Sequence, residues 1–259
     1  MRLRMAIYHI FLRMSNETSS PRVFRFPFGL YAKYGNHVTV AEALTGQYVS
    51  LNTTIPTPTV LDVCKDSGGI FFLMTEIPGR SFSADGVTLH SMSDEQVFAF
   101  GEILRGWFAQ LRALPPPPDG RVSGFMGASF HCARVDNFGN IDPFDSIDAF
   151  HAQFFCTIPP TSDPAMQSLA IRTRAKKYRL CLSHCDIAPQ NILVDDNNRP
   201  IGLIDWDSAA WMPEYWEFTA ALSRRLRYVP WVEVFKRIFR EYEDELTLEI
   251  ELWNTVSPF

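Results

Sequence analysis

Three polar residues, Asp186, Asn191 and Asp205, stand in the stretch LSHCDIAPQNILVDDNNRPIGLIDWD (Leu182 to Asp207), each beside a short apolar run. Carboxylate and amide oxygens are ligands for a hard cation such as magnesium. A further carboxylate close by can orient an attacking hydroxyl, so the three together supply what phosphoryl transfer needs. The condition is that they meet in space. NILV and PIGLID flank the turn-forming DDNNR, a pattern that predicts a β-hairpin. With the turn centred near Asn198, Leu193 pairs with Leu203, Val194 with Gly202 and Asn191 with Asp205. Directly opposed residues on one face have Cβ atoms about 4.5–5.5 Å apart, close enough to share one ion. Asp186 opens the loop entering this hairpin and falls at the same end. Asp207 is a further acid in reach, with the plainer reading of an exposed loop residue. SHCD is no Ser-His-Asp triad, because triad members are neighbours in space and seldom in sequence.

The elements that must hold these residues follow from periodicity and punctuation. RVFRF (Arg22 to Phe26) and GLYAKYG (Gly29 to Gly35) are short, aromatic strands around a turn at Pro27 and Gly29. Val40, Leu44, Tyr48 and Leu51 recur at helical spacing, and Pro56 and Pro58 then force extended backbone. Val60 to Val63 and Ile70 to Met74 predict a hairpin, after which EIPG turns the chain away. Ser93 and Gln96 form a capping box for a helix with Val97, Phe100, Leu104, Phe108 and Leu111 on one face, stopped by PPPP. Residues 119–161 resist assignment apart from a helix start at DSIDAFHAQFF. PEYWEFTAALSRRL and VPWVEVFKRIFREYEDELTLEIELW read as closing helices. MRLRMAIYHIFLRM lacks a small-residue cleavage site after its apolar stretch, so it reads as a helix or strand of the fold and not as a signal peptide. The expected class is α+β with two lobes, a β-rich lobe over residues 1–76 and a mainly helical one over 77–259, joined near Glu76 to Gly79.

Composition removes several functions. A net charge of −5 argues against nucleic acid as a partner. No run approaches the ~18 apolar residues of a membrane span. The five cysteines are odd in number and scattered, which suits reduced thiols and a cytoplasmic location. Cys181, His184 and Cys185 cluster but lack the paired spacing of a structural zinc site.

SHCDIAPQNILV together with LIDWDSAAWMPEYWEF resembles the catalytic core of the aminoglycoside phosphotransferase family, most of all its fungal branch; that family is related to choline kinases and, more distantly, to protein kinases. The resemblance implies a protein-kinase-like fold and transfer of the γ-phosphoryl group of ATP, with magnesium (Mg2+), to a small-molecule hydroxyl. It implies that Asp186 is the catalytic base, that Asn191 and Asp205 hold the metal, and that His184 is structural. Lys33 and Glu42 match the family's Lys–Glu pair, with Lys33 meant for the α- and β-phosphates. FFLMTEIPG resembles the hinge, where the main chain at Met74, Thr75, Glu76 and Ile77 would meet adenine. SSPRVFRF resembles the loop near the phosphates, with Ser19 and Ser20 as donors. There is no G-x-G-x-x-G and no Walker loop, so a glycine cradle is not expected. Cys185 replaces the glycine usual between the His and the Asp, Gln190 stands where a basic residue is common, and Ala210 where glycine is common. None of these removes a group the chemistry needs.

The acceptor is less legible. Glu241, Glu243, Asp244, Glu245, Glu249 and Glu251 could draw a cationic amine, against the plainer reading of a solvated helix. The aromatic residues of IDPFDSIDAF and WMPEYWEF could line a pocket or stack on a cation, and are more simply core. A competing reading is a nucleotide-binding pseudokinase acting through partners, though a non-catalyst has no physical need for Asp186. Transfer to a protein hydroxyl is disfavoured, since the short spacing from Asp205 to PEYWEF leaves little room for an activation segment.

Overall fold

Strands β1 (Val23–Phe26), β2 (Leu30–Gly35), β3 (Val60–Asp66) and β4 (Gly69–Thr75) form an antiparallel sheet in the order β1-β2-β4-β3. The computed structural model describes every residue except 1, 16, 17, 19, 85–87, 133–139, 155–162, 224 and 256–259. Helix α1 (Arg2–Met14) covers one face of the sheet, burying Met5 with Phe26, Ala32 and Phe71, and Tyr8 stacks on Phe71 at 4.3 Å. Its polar edge is fixed by Tyr8 to Asp62 at 2.7 Å and His9 to Asp66 at 2.6 Å.

Helix α2 (Val40–Asn52) covers the other face, capped by Thr39, whose side chain accepts the Glu42 N–H at 3.0 Å. Its buried face differs from the expected one. Glu42, Ala43, Thr45, Gly46 and Val49 are buried, whereas Val40 and Leu51 are exposed. The helix lies between the sheet and the second lobe, so small residues that permit close approach decide its orientation. A Cβ on Gly46 would stand 3.5 Å from Trp206 Cδ1.

Beyond β4 the chain becomes mainly helical. After β5 (Arg80–Ser81) comes α3 (Asp94–Ala113), with the expected Ser93–Gln96 capping box and Phe100, Leu104, Phe108 and Leu111 buried. The stretch that resisted assignment holds β6 (Ser123–Gly124), β7 (Phe130–His131), β8 (Asn140–Ile141) and α4 (Ile147–Phe154). Then follow α5 (Pro164–Ala175), β9 (Leu180–Ser183), β10 (Ile192–Val194), β11 (Pro200–Leu203) and β12 (Ala210–Pro213). Two three-stranded sheets, β11-β10-β5 and β6-β12-β9, and the two-stranded β7-β8 result. The closing helices are α6 (Trp216–Leu222), α7 (Val229–Ile238) and α8 (Glu243–Thr255), so the second closing segment is broken in two. Leu104, Leu182, Met212, Phe218, Trp231 and Phe235 lie in one core, each buried side chain contributing about 1.5–3 kcal/mol. This is the expected α+β arrangement of an antiparallel-sheet lobe followed by a helical one. Among the described residues no helix is long and apolar enough to cross a membrane.

Candidate active site

The β10–β11 hairpin forms, but its register differs from the expected one by one residue. Ile192 faces Leu203 and Leu193 faces Gly202, with an irregularity before Val194, which faces Pro200. The turn explains the slip. Asp195 accepts N–H bonds from Asn197 and Arg199 through its side chain, both at 2.9 Å, and Asn198 adopts a left-handed φ of 61°. The ladder then continues with Ile204 N–H donating to Asn191 O at 3.0 Å, so Asn191 is matched with Ile204 and not with Asp205. Asp205 reaches the site by another route: its own φ of 70° bends the chain and turns its carboxylate toward Lys33. Asn191 and Asp205 therefore line one cleft through a bend and not through direct opposition.

The loop after β9 is held from below. His184 is wholly buried, and burial lowers its pKa, so the ring is neutral. Its Nε2–H donates to Ile204 O at 3.0 Å, which leaves Nδ1 to face the Asp186 N–H at 3.4 Å. One imidazole thus joins the Asp186 loop to the segment leading into Asp205. Asn191 Nδ2 donates to both Asp186 O at 2.8 Å and Asp186 Oδ2 at 3.0 Å. With the amide nitrogen so engaged, Oδ1 is the atom Asn191 can offer a cation. Glu217 on α6 is buried and accepts the N–H groups of His184 and of Cys185, the latter at 3.2 Å. Cys185 itself sits at φ 66°, the left-handed region that favours the glycine usual at this place.

From the sheet above, Lys33 on β2 sends its ammonium group to Glu42 on α2 and to Asp205 Oδ1 at 2.6 Å. Burial alone would lower the Lys33 pKa, but the charges of Glu42 and Asp205 outweigh it and hold the ammonium above its ordinary range. Burial pushes Glu42 up to about 7 against the pull of Lys33, with Asp205 and Asp207 adding to the rise. Burial also acts to raise Asp205, yet Lys33 prevails and its pKa is lowered. Asp207 is raised by burial and by Asp205, with Lys33 opposing. Three carboxylates share the field of one close ammonium, and such a site is short of positive charge.

That deficit and the oxygen donors suit a magnesium ion. Among the described residues no group of three or more His, Cys, Asp or Glu is arranged to hold a metal by itself. Magnesium does not require one, since it is commonly held by one or two protein oxygens and completed by phosphate oxygens and water.

The cleft encloses about 620 Å³ between the sheet and the hairpin. Lys33 and Glu42 lie on its upper side, Asp186, Asn191 and Asp205 on its lower side, and Val60, Phe72, Leu193 and Ile204 along its apolar walls. Met74, Thr75, Glu76 and Ile77 line its edge. The N–H groups of Thr75 and Glu76 are already used, by Thr59 O at 3.0 Å and Gly29 O at 2.8 Å. Ser20 reaches the cleft beside Thr18, while Ser19 lies outside the described residues. A second cavity of about 280 Å³ adjoins it, lined by Asp207, Cys185, His131 and Arg225, and Asp186 and Asp205 border both spaces.

The remaining sequence candidates sit elsewhere. The acids of α8 are not a uniformly solvated face: Glu245 is buried against Lys176 and Tyr178, and Glu249 accepts from Thr219 at 3.2 Å. Phe150, Tyr215, Trp216 and Phe218 are core. Glu217 was not singled out by sequence reasoning. Its signal was an acid set among the large apolar residues of WMPEYWEF.

The profile of the phosphotransferase enzyme family matches residues 16–253. Among solved structures, the chain is similar to a thermostable mutant of aminoglycoside phosphotransferase APH(4)-Ia in its apo form, with TM-score 0.57 and 17% identity over 91% of this chain and 82% of that one. It is also similar to aminoglycoside phosphotransferase APH(3'')-Id from Streptomyces rimosus in complex with ADP and streptomycin, with TM-score 0.55 and 17% identity over 96% and 97%. A third is the GDP complex of aminoglycoside 2'-phosphotransferase-IIIa, with TM-score 0.56 and 15% identity over 95% and 85%. At these identities the likeness is one of fold. No curated protein matches the sequence significantly.

Proposed function

Because the chain belongs to the phosphotransferase enzyme family, we propose that it transfers the γ-phosphoryl group of ATP, with magnesium as cofactor, to a hydroxyl of a small molecule. The observation that carries this reading is the position of Lys33, which reaches from β2 to both Glu42 and Asp205 above a loop where Asn191 fixes Asp186. Lys33, oriented by Glu42, would bind the α- and β-phosphates. The adenine would lie against the apolar walls, its main-chain contacts falling to the carbonyls around Thr75 and to Ile77 N–H, since the N–H groups of Thr75 and Glu76 are spent. Ser20 is within reach of the phosphate end. We put the division between the lobes at Glu76 to Gly79, and the end of β4 at Thr75 supports this reading.

Asp205 and Asn191 Oδ1 would hold magnesium, which when bound neutralises phosphate charge. Asp186 borders both the cleft and the adjoining cavity, so it can face a hydroxyl entering from the cavity side. There it accepts the hydroxyl's hydrogen bond, aims the oxygen at the γ-phosphorus and takes the proton as the new O–P bond forms, while the bond from the γ-phosphorus to the β–γ bridging oxygen breaks and ADP leaves. His184 and Glu217 act on the loop and not on the substrate.

The test is a pair of substitutions. Asp186→Asn should keep nucleotide affinity and lose turnover by about 10²-fold or more, while Asp205→Ala should weaken magnesium–nucleotide binding itself. Equal turnover in wild type and Asp186→Asn removes the mechanism. Screening hydroxylated amines, sugars and other small alcohols for ATP consumption identifies the acceptor.

A further inference from the structure

A recess of about 780 Å³ opens between α3, the start of β9 and the junction of α7 with α8, and it shares no lining residue with the nucleotide cleft. Arg179 contributes to it from just before β9, whose far end carries Ser183 and leads into the Asp186 loop. Five arginines line it, Arg105, Arg112, Arg179, Arg237 and Arg240, with Glu102 and Glu241 as the lining acids and Glu214 tied to two of the arginines. The chain as a whole carries −5, so this recess reverses the sign of the protein's net charge.

The pairing within the recess is uneven. Arg105 is neutralised by Glu102 at 2.6 Å. Arg112 and Arg179 share a single carboxylate, Glu214, at 3.1 Å and 2.9 Å. Arg112 is further fixed by donating to Tyr242 OH at 2.6 Å and lies over the Tyr242 ring at 5.5 Å. Arg237 lies over the exposed ring of Phe98 at 5.7 Å, and neither it nor Arg240 has a carboxylate within 4 Å among the described residues. A guanidinium presents a planar fork of donors that matches the oxygens of a phosphate or carboxylate.

We propose that this recess is a binding site for a small polyanion carrying two or more oxyanion groups, held by the exposed Arg179, Arg237 and Arg240 and by the more buried Arg112. More than one anionic group is needed because the excess charge is spread over α3, the end of α7 with the turn after it, and the residue before β9. An extended polyanion such as nucleic acid is the poorer fit, since the chain as a whole is net negative.

The test uses calorimetric titration of the whole protein with inorganic tripolyphosphate and, separately, with citrate. Wild type should bind tripolyphosphate, and Arg237→Ala combined with Arg240→Ala should weaken that binding at least tenfold, with an unchanged thermal melt. Lys236→Ala on the same helix should leave it as in wild type. Affinity in wild type should also fall steeply as salt rises from about 50 to about 200 mM. Any tripolyphosphate entering the nucleotide cleft does so equally in the wild type and the double variant, so the difference between their isotherms reports the recess alone. Superimposable isotherms overturn the proposal, as does loss of binding in Lys236→Ala of the same size as in the double variant. Citrate weaker than tripolyphosphate assigns the site to phosphate groups, and equal affinity assigns it to oxyanions at large; both support it.

Discussion

Lys33 Nζ lies 2.6 Å from Asp205 Oδ1, joining residues 172 positions apart, while the same ammonium also pairs with Glu42. One cation thus connects the sheet, helix α2 and the bend after β11. Asp205 is the more exposed of the two acids, at 43% of its side chain against 6% for Glu42. An incoming cation can therefore draw Asp205 away while Glu42 keeps Lys33 in place.

Replacing Lys33 with Met keeps the stem and removes the charge. Glu42 is held near 7 even with Lys33 beside it, so without the ammonium its pKa rises further above the unfolded value. An acid raised in the folded state contributes stability at low pH that is lost as pH rises through its folded pKa. Lys33→Met should therefore carry a deficit from the lost Asp205 pair at every pH from about 5 to about 8, and that deficit should widen by up to about 1.4 kcal/mol between pH 7 and pH 8, where Glu42 ionises in the wild type and not in the variant. Denaturant unfolding across that range is the measurement, and a deficit independent of pH would contradict the assignment.

Glu217 offers a second test. It is buried and serves two backbone donors of the Asp186 loop. Glu217→Ala orphans both, at about 1–3 kcal/mol each, and should loosen Asp186. Turnover should fall with little change in nucleotide affinity, and Glu217→Gln, which keeps one carbonyl acceptor, should recover part of it. Steady-state kinetics with a direct nucleotide-binding assay separates the two effects. Equal loss of affinity and turnover in Glu217→Ala would place its role elsewhere.

How much of this was legible in the sequence depended on distance along the chain. The capping box at Ser93, the hairpin of β3 and β4 and the turn at Asn198 rest on local chemistry, and each formed. The hairpin register was missed by one residue because the Asp195 side chain tightened the turn, and a pairing argument has no access to that. The α2 face was missed because its partner, Trp206, is 160 positions beyond Gly46. Glu217 was missed for the same reason, since its bonds are to main-chain groups that any residue type supplies.

Cys185 stands where its backbone asks for glycine. A non-glycine residue in the left-handed region is strained by about 1–2 kcal/mol, and Cys185 recovers some of this by packing against the core. Cys185→Gly should raise stability by up to about 1 kcal/mol, whereas β-branched Cys185→Val should lower it by more than about 1 kcal/mol. Thermal melts of the three proteins decide it. A glycine variant less stable than the valine variant would mean that the side chain, and not the backbone, governs this position.

His151 makes the protein sensitive to acid far from the catalytic loop. Its Nε2 is 3.0 Å from Tyr215 OH, and the residue is 3% exposed. Burial lowers its pKa to about 4, with Asp148 opposing the shift and Arg174 adding to it. A histidine depressed in the folded state is protonated first in the unfolded chain, so stability is lost as pH falls from about 6.5 toward about 4. The gap between those values corresponds to about 3 kcal/mol. His151→Gln keeps a polar partner for Tyr215 and does not titrate. Between pH 7 and pH 4 the wild type should therefore lose about 3 kcal/mol more than this variant, because the carboxylates common to both cancel in the comparison. Denaturant unfolding of the two proteins at matched pH gives the number, and parallel stability curves would show that the His151 pKa is the same in the folded and unfolded protein.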